Sequence, residues 1–193
     1  AILYPSLDIV KVLVTAGASI FEVDAKGNSP LHLCSALLGS VEIAVWLIES
    51  GADIYCENAE DQSPLQMAES KQNEALVRLL KNKQNNVLEL LEVCQSGDIE
   101  WVQSLINNNI SLQRGNKEKV TALHMASFHG HVDICGLLVA EGCVVDVEDS
   151  EGRTPLHYAC MACNADMMAS LVEQGASLFR QNAVGESCLH FVV

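Results

Sequence analysis

An all-α solenoid of stacked helix-turn-helix units with extended turns is the fold class this sequence predicts, and three observations carry the prediction. The phrase "GRTPLHYAC" at 152–160 recurs in altered form as "NSPLHLC", "DQSPLQM", "KVTALHM" and "ESCLHFV". Leu90, Leu123, Leu156 and Leu189 stand at intervals of 33, and Gly142 and Gly175, like Gly152 and Gly185, keep the same step. Leu, Ala and Val are abundant while aromatic residues make up only 5%, which favours small side chains between helices over a large aromatic core. At 193 residues and 49% hydrophobic content, the chain has material for a sizeable core and is too apolar for a disordered acidic tail.

Residues 117–149 show how one unit is built. Thr121 is placed to cap the first helix, and in the next unit Thr154 is followed by Pro155 at the first helical position, where a missing N–H costs nothing. Leu123 and Ala126 share a helical face, and small residues at 126 and 127 let a neighbouring helix approach closely. Gly130 ends this helix in the left-handed conformation that glycine adopts without strain. "VDICGLLVAEG" (132–142) is a second amphipathic helix, with Ile134, Leu137 and Leu138 inward and Gly142 as its stop; "CVVDVEDSEG" is the extended turn to the next unit. Such a helix pair is apolar on two sides, so stacking is obligatory.

The register gives a partial unit at 1–23 with its second helix at about 7–16, then units 24–57, 58–86, 87–116, 117–149 and 150–182, and a truncated unit from 183. Leu31 and Leu65 lie 34 apart, which places one extra residue in "SALLGS", where Gly39 arrives one place late. From Leu65 to Leu90 the step is only 25, and "KNKQNN" (81–86) replaces the glycine and extended turn. The unit before it is eroded, with Asp61 for the turn glycine, Gln66 for the histidine and Gln72 for the helix-ending glycine; "VLELLEVCQSGDIEWVQSLI" (87–106) reads as an opening unit. The preferred division is therefore a first stack at 1–83, a short linker or irregular junction at 84–86 and a second stack at 87–193. A single stack with one short unit is the alternative. Proteases should nick the linker first around Lys81 or Lys83. "CLHFVV" stops inside a first helix without a polar capping unit, so the chain reads as an excerpt of a longer array.

The period of 33 with its TPLH, GH and GA(D/S) landmarks resembles the ankyrin repeat over nearly the whole chain. That resemblance implies a structural role for His32, His124, His157 and His190, whose imidazoles would hydrogen-bond the turns, and for His131 at the GH position; His129 alone is off-frame. It also implies that partners are gripped by turn tips and by the exposed edges of first helices, along a concave face. Carried over by position, the tips are Ala25, Lys26 and Asn28; Ala59, Glu60 and Gln62; Lys117, Glu118 and Val120; Ser150, Glu151 and Arg153, with Asp149 beside them; and Ala183, Val184 and Glu186. The helical positions are Leu37 and Leu38, Gln95 and Ser96, Phe128 and His129, Met161 and Ala162. Phe128 and Met161 stand out as apolar anchors at places where polar residues are usual. Phe21, Tyr55 and Phe179 fall where the family commonly has Asn and are expected to pack between turns; Trp101, in the place of Ile134, is expected in the core.

Eleven Lys and Arg against 25 Asp and Glu give a net charge of −14, which repels nucleic acid and anionic membrane surfaces. Residues 87–193 hold five of the bases and fourteen of the acids, so a basic or mixed-charge partner segment is favoured there. "CMAC" (160–163) has the spacing of a metal or redox pair, but no second pair follows and both thiols fall in an expected helix. No metal or other cofactor is expected. The eight cysteines read as core residues of a protein in a reducing intracellular compartment, cytoplasmic or else nuclear. No spanning segment and no catalytic signature appears. The favoured function is a protein-interaction scaffold rather than an enzyme. Against it stand a substrate-recruiting segment of a larger ubiquitin ligase or kinase and a metal- or redox-responsive protein built on the cysteines.

Overall fold

A computed structural model describes residues 6–37, 40–108 and 110–192; Leu38 and Gly39 lie outside them. Packing divides the chain into two compact units, 1–84 and 85–193. The first contains α1 (Leu7–Thr15), α2 (Pro30–Ala36), α3 (Val41–Glu49), α4 (Pro64–Ser70) and the start of α5 (Glu74–Ser96). The second contains the rest of α5, α6 (Ile99–Asn107), α7 (Ala122–His129), α8 (Val132–Ala140), α9 (Pro155–Met161), α10 (Ala165–Glu173) and a 3₁₀ turn at Cys188–Phe191. Extended pairing among the described residues is limited to an isolated bridge between Gln181 and Ser187.

The junction differs from expectation. Residues 84–86 are helical, inside the 23-residue α5, instead of forming an irregular linker. No Gly or Pro interrupts 74–96, so nothing stops the helix. Leu76 and Leu80 fall in the first core, and Leu90, Val93 and Cys94 in the second. Lys81 and Lys83, the expected cleavage points, are helical as well, and Lys81 is paired with Glu69 at 2.8 Å.

Each unit is held by repeat-on-repeat burial. The position of Ile134 shows its direction: Ile43, Leu76, Ile134 and Met167 are all buried, and each has a preceding repeat in its own unit. Ile9 and Trp101, at the same register place, open their units and are 51% and 49% exposed. Trp101 is therefore not core: within its unit no earlier repeat covers that face, and Val102 and Leu105 hold the buried positions of α6. The TPLH leucine points the other way. Leu31, Leu123 and Leu156 are buried beneath the following repeat, Leu65 in the last repeat of its unit is only half-buried, and Leu189 is exposed.

The hairpins repeat one hydrogen-bonded device. Asp24, Asn58, Asn116, Asp149 and Asn182 each accept, through one side-chain oxygen, the N–H groups two and four residues on. This Asx arrangement closes the tip without needing a strand partner. Successive tips are joined through the backbone: Ala59 N–H donates to Lys26, Ser150 N–H to Glu118 and Ala183 N–H to Glu151, at 2.8–2.9 Å. The histidines do what the resemblance implies. Nδ1 of His32, His124 and His157 accepts the N-cap N–H at 3.1 Å, while Nε2 donates to the carbonyls of Gln62, Arg153 and Glu186 in the next hairpin. His190 keeps the capping half of this pattern, with Nδ1 accepting from Ser187 N–H.

Erosion of the glycines changes residues but not backbone. Asp61 and Lys119 take the place of Gly27 and Gly152, and Gln72 and Cys163 that of Gly130, all with φ between 52° and 58°. A non-glycine residue in the left-handed region costs about 1 kcal/mol. Lys119→Gly, at an exposed tip, is therefore expected to raise stability by about 1 kcal/mol in thermal denaturation, less the entropy glycine adds to the unfolded chain.

Candidate protein-binding face

The first helices α7 and α9 pack side by side. Phe128 and Met161, one repeat apart in register at their C-terminal ends, are each 39% exposed. Phe128 is the centre of a row of rings. Its edge contacts put the His129 centroid at 5.2 Å and the Tyr158 centroid at 6.3 Å. His129, itself exposed, stacks on His131 at 6.3 Å, and His131 Nε2 donates to the Gln95 carbonyl at 3.0 Å. On the other side Tyr158 carries the Arg153 guanidinium 5.4 Å over its face and meets the His124 ring edge-on at 4.9 Å. Gln95 and Ser96 are exposed at the end of α5, and Ser96 Oγ donates to the Val93 carbonyl.

Of the tip residues, Lys117, Glu118, Ser150 and Glu151 are exposed, whereas Asp149 is buried. Asp149, expected beside the gripping tips, is instead engaged within the fold. Its carboxylate accepts from the Glu151 and Arg153 N–H groups, from Arg153 Nε at 2.8 Å and from the Tyr158 hydroxyl at 2.8 Å. Burial works against the charge, but the hydrogen bonds from Arg153, Tyr158 and Glu151 outweigh it and hold the carboxyl below its ordinary range. Burial first, then the bond to Asp149, pushes the Tyr158 phenol well above the usual range. Arg153 is also largely committed, with Nη1 on Glu151 at 2.9 Å. Tyr158 was not singled out by the sequence argument. Its signal is a departure from register, since Met125 occupies the same place one repeat earlier.

Two further expectations are corrected. Cys163 lies beyond α9, at φ 52°, so of the two thiols in the CMAC phrase only that of Cys160 is on the helix. Phe179 and Phe21 do not pack between turns: they are 89% and 67% exposed, their N–H groups bonded to the Ser two residues back. The next residue, Arg180, pairs with Asp146 and Glu148 of the preceding turn. Tyr55 does pack against the first core. The eight cysteines are unpaired thiols. Burial pushes Cys34, Cys94 and Cys160 up to about 12 and Cys135 and Cys143 up to about 11, which leaves them protonated packing groups at neutral pH.

Repeat-on-repeat stacking, capping histidines and hydrogen-bonded tips together define an ankyrin-repeat solenoid. The chain belongs to the ankyrin-repeat family: the family described as Ankyrin repeats (3 copies) matches residues 1–89 and again 90–182. Over 159 residues it is 29% identical to the Transient receptor potential cation channel subfamily A member 1 homolog of Caenorhabditis elegans. That match takes in 77% of this chain, which spans 13% of the length of the curated relative. The crystal structure of human ASB11 ankyrin repeat domain matches with a TM-score of 0.51 and 27% identity, covering 97% of this chain and 87% of that one. Ankyrin repeats are in general protein-interaction modules. Among the described residues no helix is long and apolar enough to cross a membrane.

Proposed function

We propose that the protein grips a segment of another protein on the concave face formed by its first helices and hairpin tips, with Phe128 and Met161 as apolar anchors. The observation that supports this most is the pair itself: two large apolar side chains, exposed at equivalent places on adjacent helices, beside His129 and a fixed Tyr158–Arg153 contact. Exposed aromatic and thioether groups flanked by polar tips suit a partner's apolar side chains. Glu118 and Glu151 attract positive charge on the same segment, and Lys117, Ser150, Gln95 and Ser96 complete a polar rim. The acidic surface disfavours nucleic acid as partner. The unpaired thiols suit a reducing compartment, with the cytoplasm as the proposed location. Binding, not catalysis, is the activity this reading assigns.

A photo-crosslinking residue tests it. Incorporated at position 128 or 161 and exposed to cell extract, it should yield a discrete covalent adduct, whereas the same group at Asp133, on the outer helix α8, should not. An adduct formed only or equally from position 133 overturns the concave-face reading.

A further inference from the structure

We propose that the opening repeat of the second unit carries a separate docking surface, centred on Trp101, for a basic amphipathic helix of another protein. Two independent observations lead there. The register place of Trp101 is the one through which a repeat meets the helices stacked before it: Ile43, Leu76, Ile134 and Met167 are each buried in this way. Within its unit Trp101 has no such cover and is half-exposed, so the occupant that suits this face is a helix. Leu88 and Ile99 of the same repeat are also exposed, at 48% and 43%.

Charge selects the kind of helix. Residues 84–113 contain Glu89, Glu92, Asp98 and Glu100 and not one Lys, Arg or His. Glu92, Asp98 and Glu100 are exposed, and Asp98 caps α6 by accepting from the Trp101 backbone N–H at 3.0 Å. An exposed indole in a stretch whose charged side chains are all acidic suits Lys or Arg side chains, whose methylenes can lie along a ring while their heads reach acids. A second acidic surface is repelled. This site lies on α6 and the end of α5 and stands or falls apart from Phe128 and Met161.

Trp46 and Trp101 are the two tryptophans, so Trp46→Phe makes Trp101 the only indole reporter. The probe is a synthetic amphipathic helix of about 18 residues with Leu on one face and Lys on the other; the control has Glu for Lys. The expected result is a saturable blue shift of Trp101 emission and protection from acrylamide with the Lys peptide alone. By anisotropy of the labelled Lys peptide, Trp101→Ala should weaken binding at least tenfold while circular dichroism stays unchanged, and Asp133→Asn, at an exposed place on α8, should leave it unaltered. Trp101 already shielded from acrylamide in the free protein, emission unmoved at peptide saturation, equal binding of the Glu peptide, or unchanged affinity in Trp101→Ala each overturns the proposal.

Discussion

Replacing His124 by alanine is expected to destabilise the second unit by about 3 kcal/mol, seen as a lower urea midpoint with the slope unchanged. The imidazole joins two repeats. Nδ1 accepts the Thr121 N–H at 3.1 Å, and Nε2, which must carry its proton to face a carbonyl, donates to Arg153 at 3.0 Å. Each bond contributes about 1 kcal/mol net, and leaving the buried Thr121 N–H and the Arg153 carbonyl without partners costs about 1–3 kcal/mol more. The ring's edge contact with Tyr158 is lost as well. His124→Gln should recover part of the loss, because Gln66 supplies the capping half unaided: its Oε1 accepts Ser63 N–H at 2.7 Å. Gln66 belongs to the last repeat of its unit, where α5 continues and no hairpin follows to need the second bond.

The same site sets a pH dependence. Burial holds the His124 pKa below the ordinary 6.5, although the Arg153 carbonyl and the Asp149 charge oppose the shift. Protonation would also turn Nδ1 from acceptor to donor against the Thr121 N–H. With the folded value depressed, this contribution to stability is fully present above about 6.5 and declines as pH falls towards the folded value. A wild-type midpoint that drops on acidification from pH 7 to 5, with a smaller drop in His124→Gln, is the expected pattern.

Much of the fold was legible because repetition ties each local signal to its neighbours. The 33-residue step placed Thr121 and Thr154 as N-caps, Pro155 at the first turn and Gly130 at a left-handed stop, and those residues do these jobs in the structure. Register alone could not say which faces are covered. Trp101 shares the place of Ile134, but it is buried only if a repeat precedes it in the same unit, and that depends on tertiary context. The missing hairpin at 81–86 was visible; that it gives way to continuous helix follows from the absence of any helix-breaking residue, a weaker cue than a glycine present. At the candidate face, exposure of Phe128 and Met161 followed from register. The burial of Asp149 did not, because it rests on a tyrosine nine residues on whose hydroxyl turns back to the carboxylate. Side-chain bonds of that kind leave no periodic trace.

The double substitution Phe128→Ala with Met161→Ala is expected to abolish most binding to the partner crosslinked from position 128. A buried hot spot costs roughly 2 kcal/mol or more when truncated, so each anchor should cost about thirtyfold. Glu118→Gln, at an exposed tip, should cost only about 0.2–1 kcal/mol and act mainly on the association rate, more so at low salt. Both anchors are more than one-third exposed, so their removal should leave the melting temperature within a few degrees of wild type. Titration calorimetry of the purified partner against wild type and the double variant, with melting curves on the same samples, is the most direct test. Near-complete loss of affinity with normal melting is the predicted result. Unaltered affinity in a normally melting double variant would contradict the concave-face account.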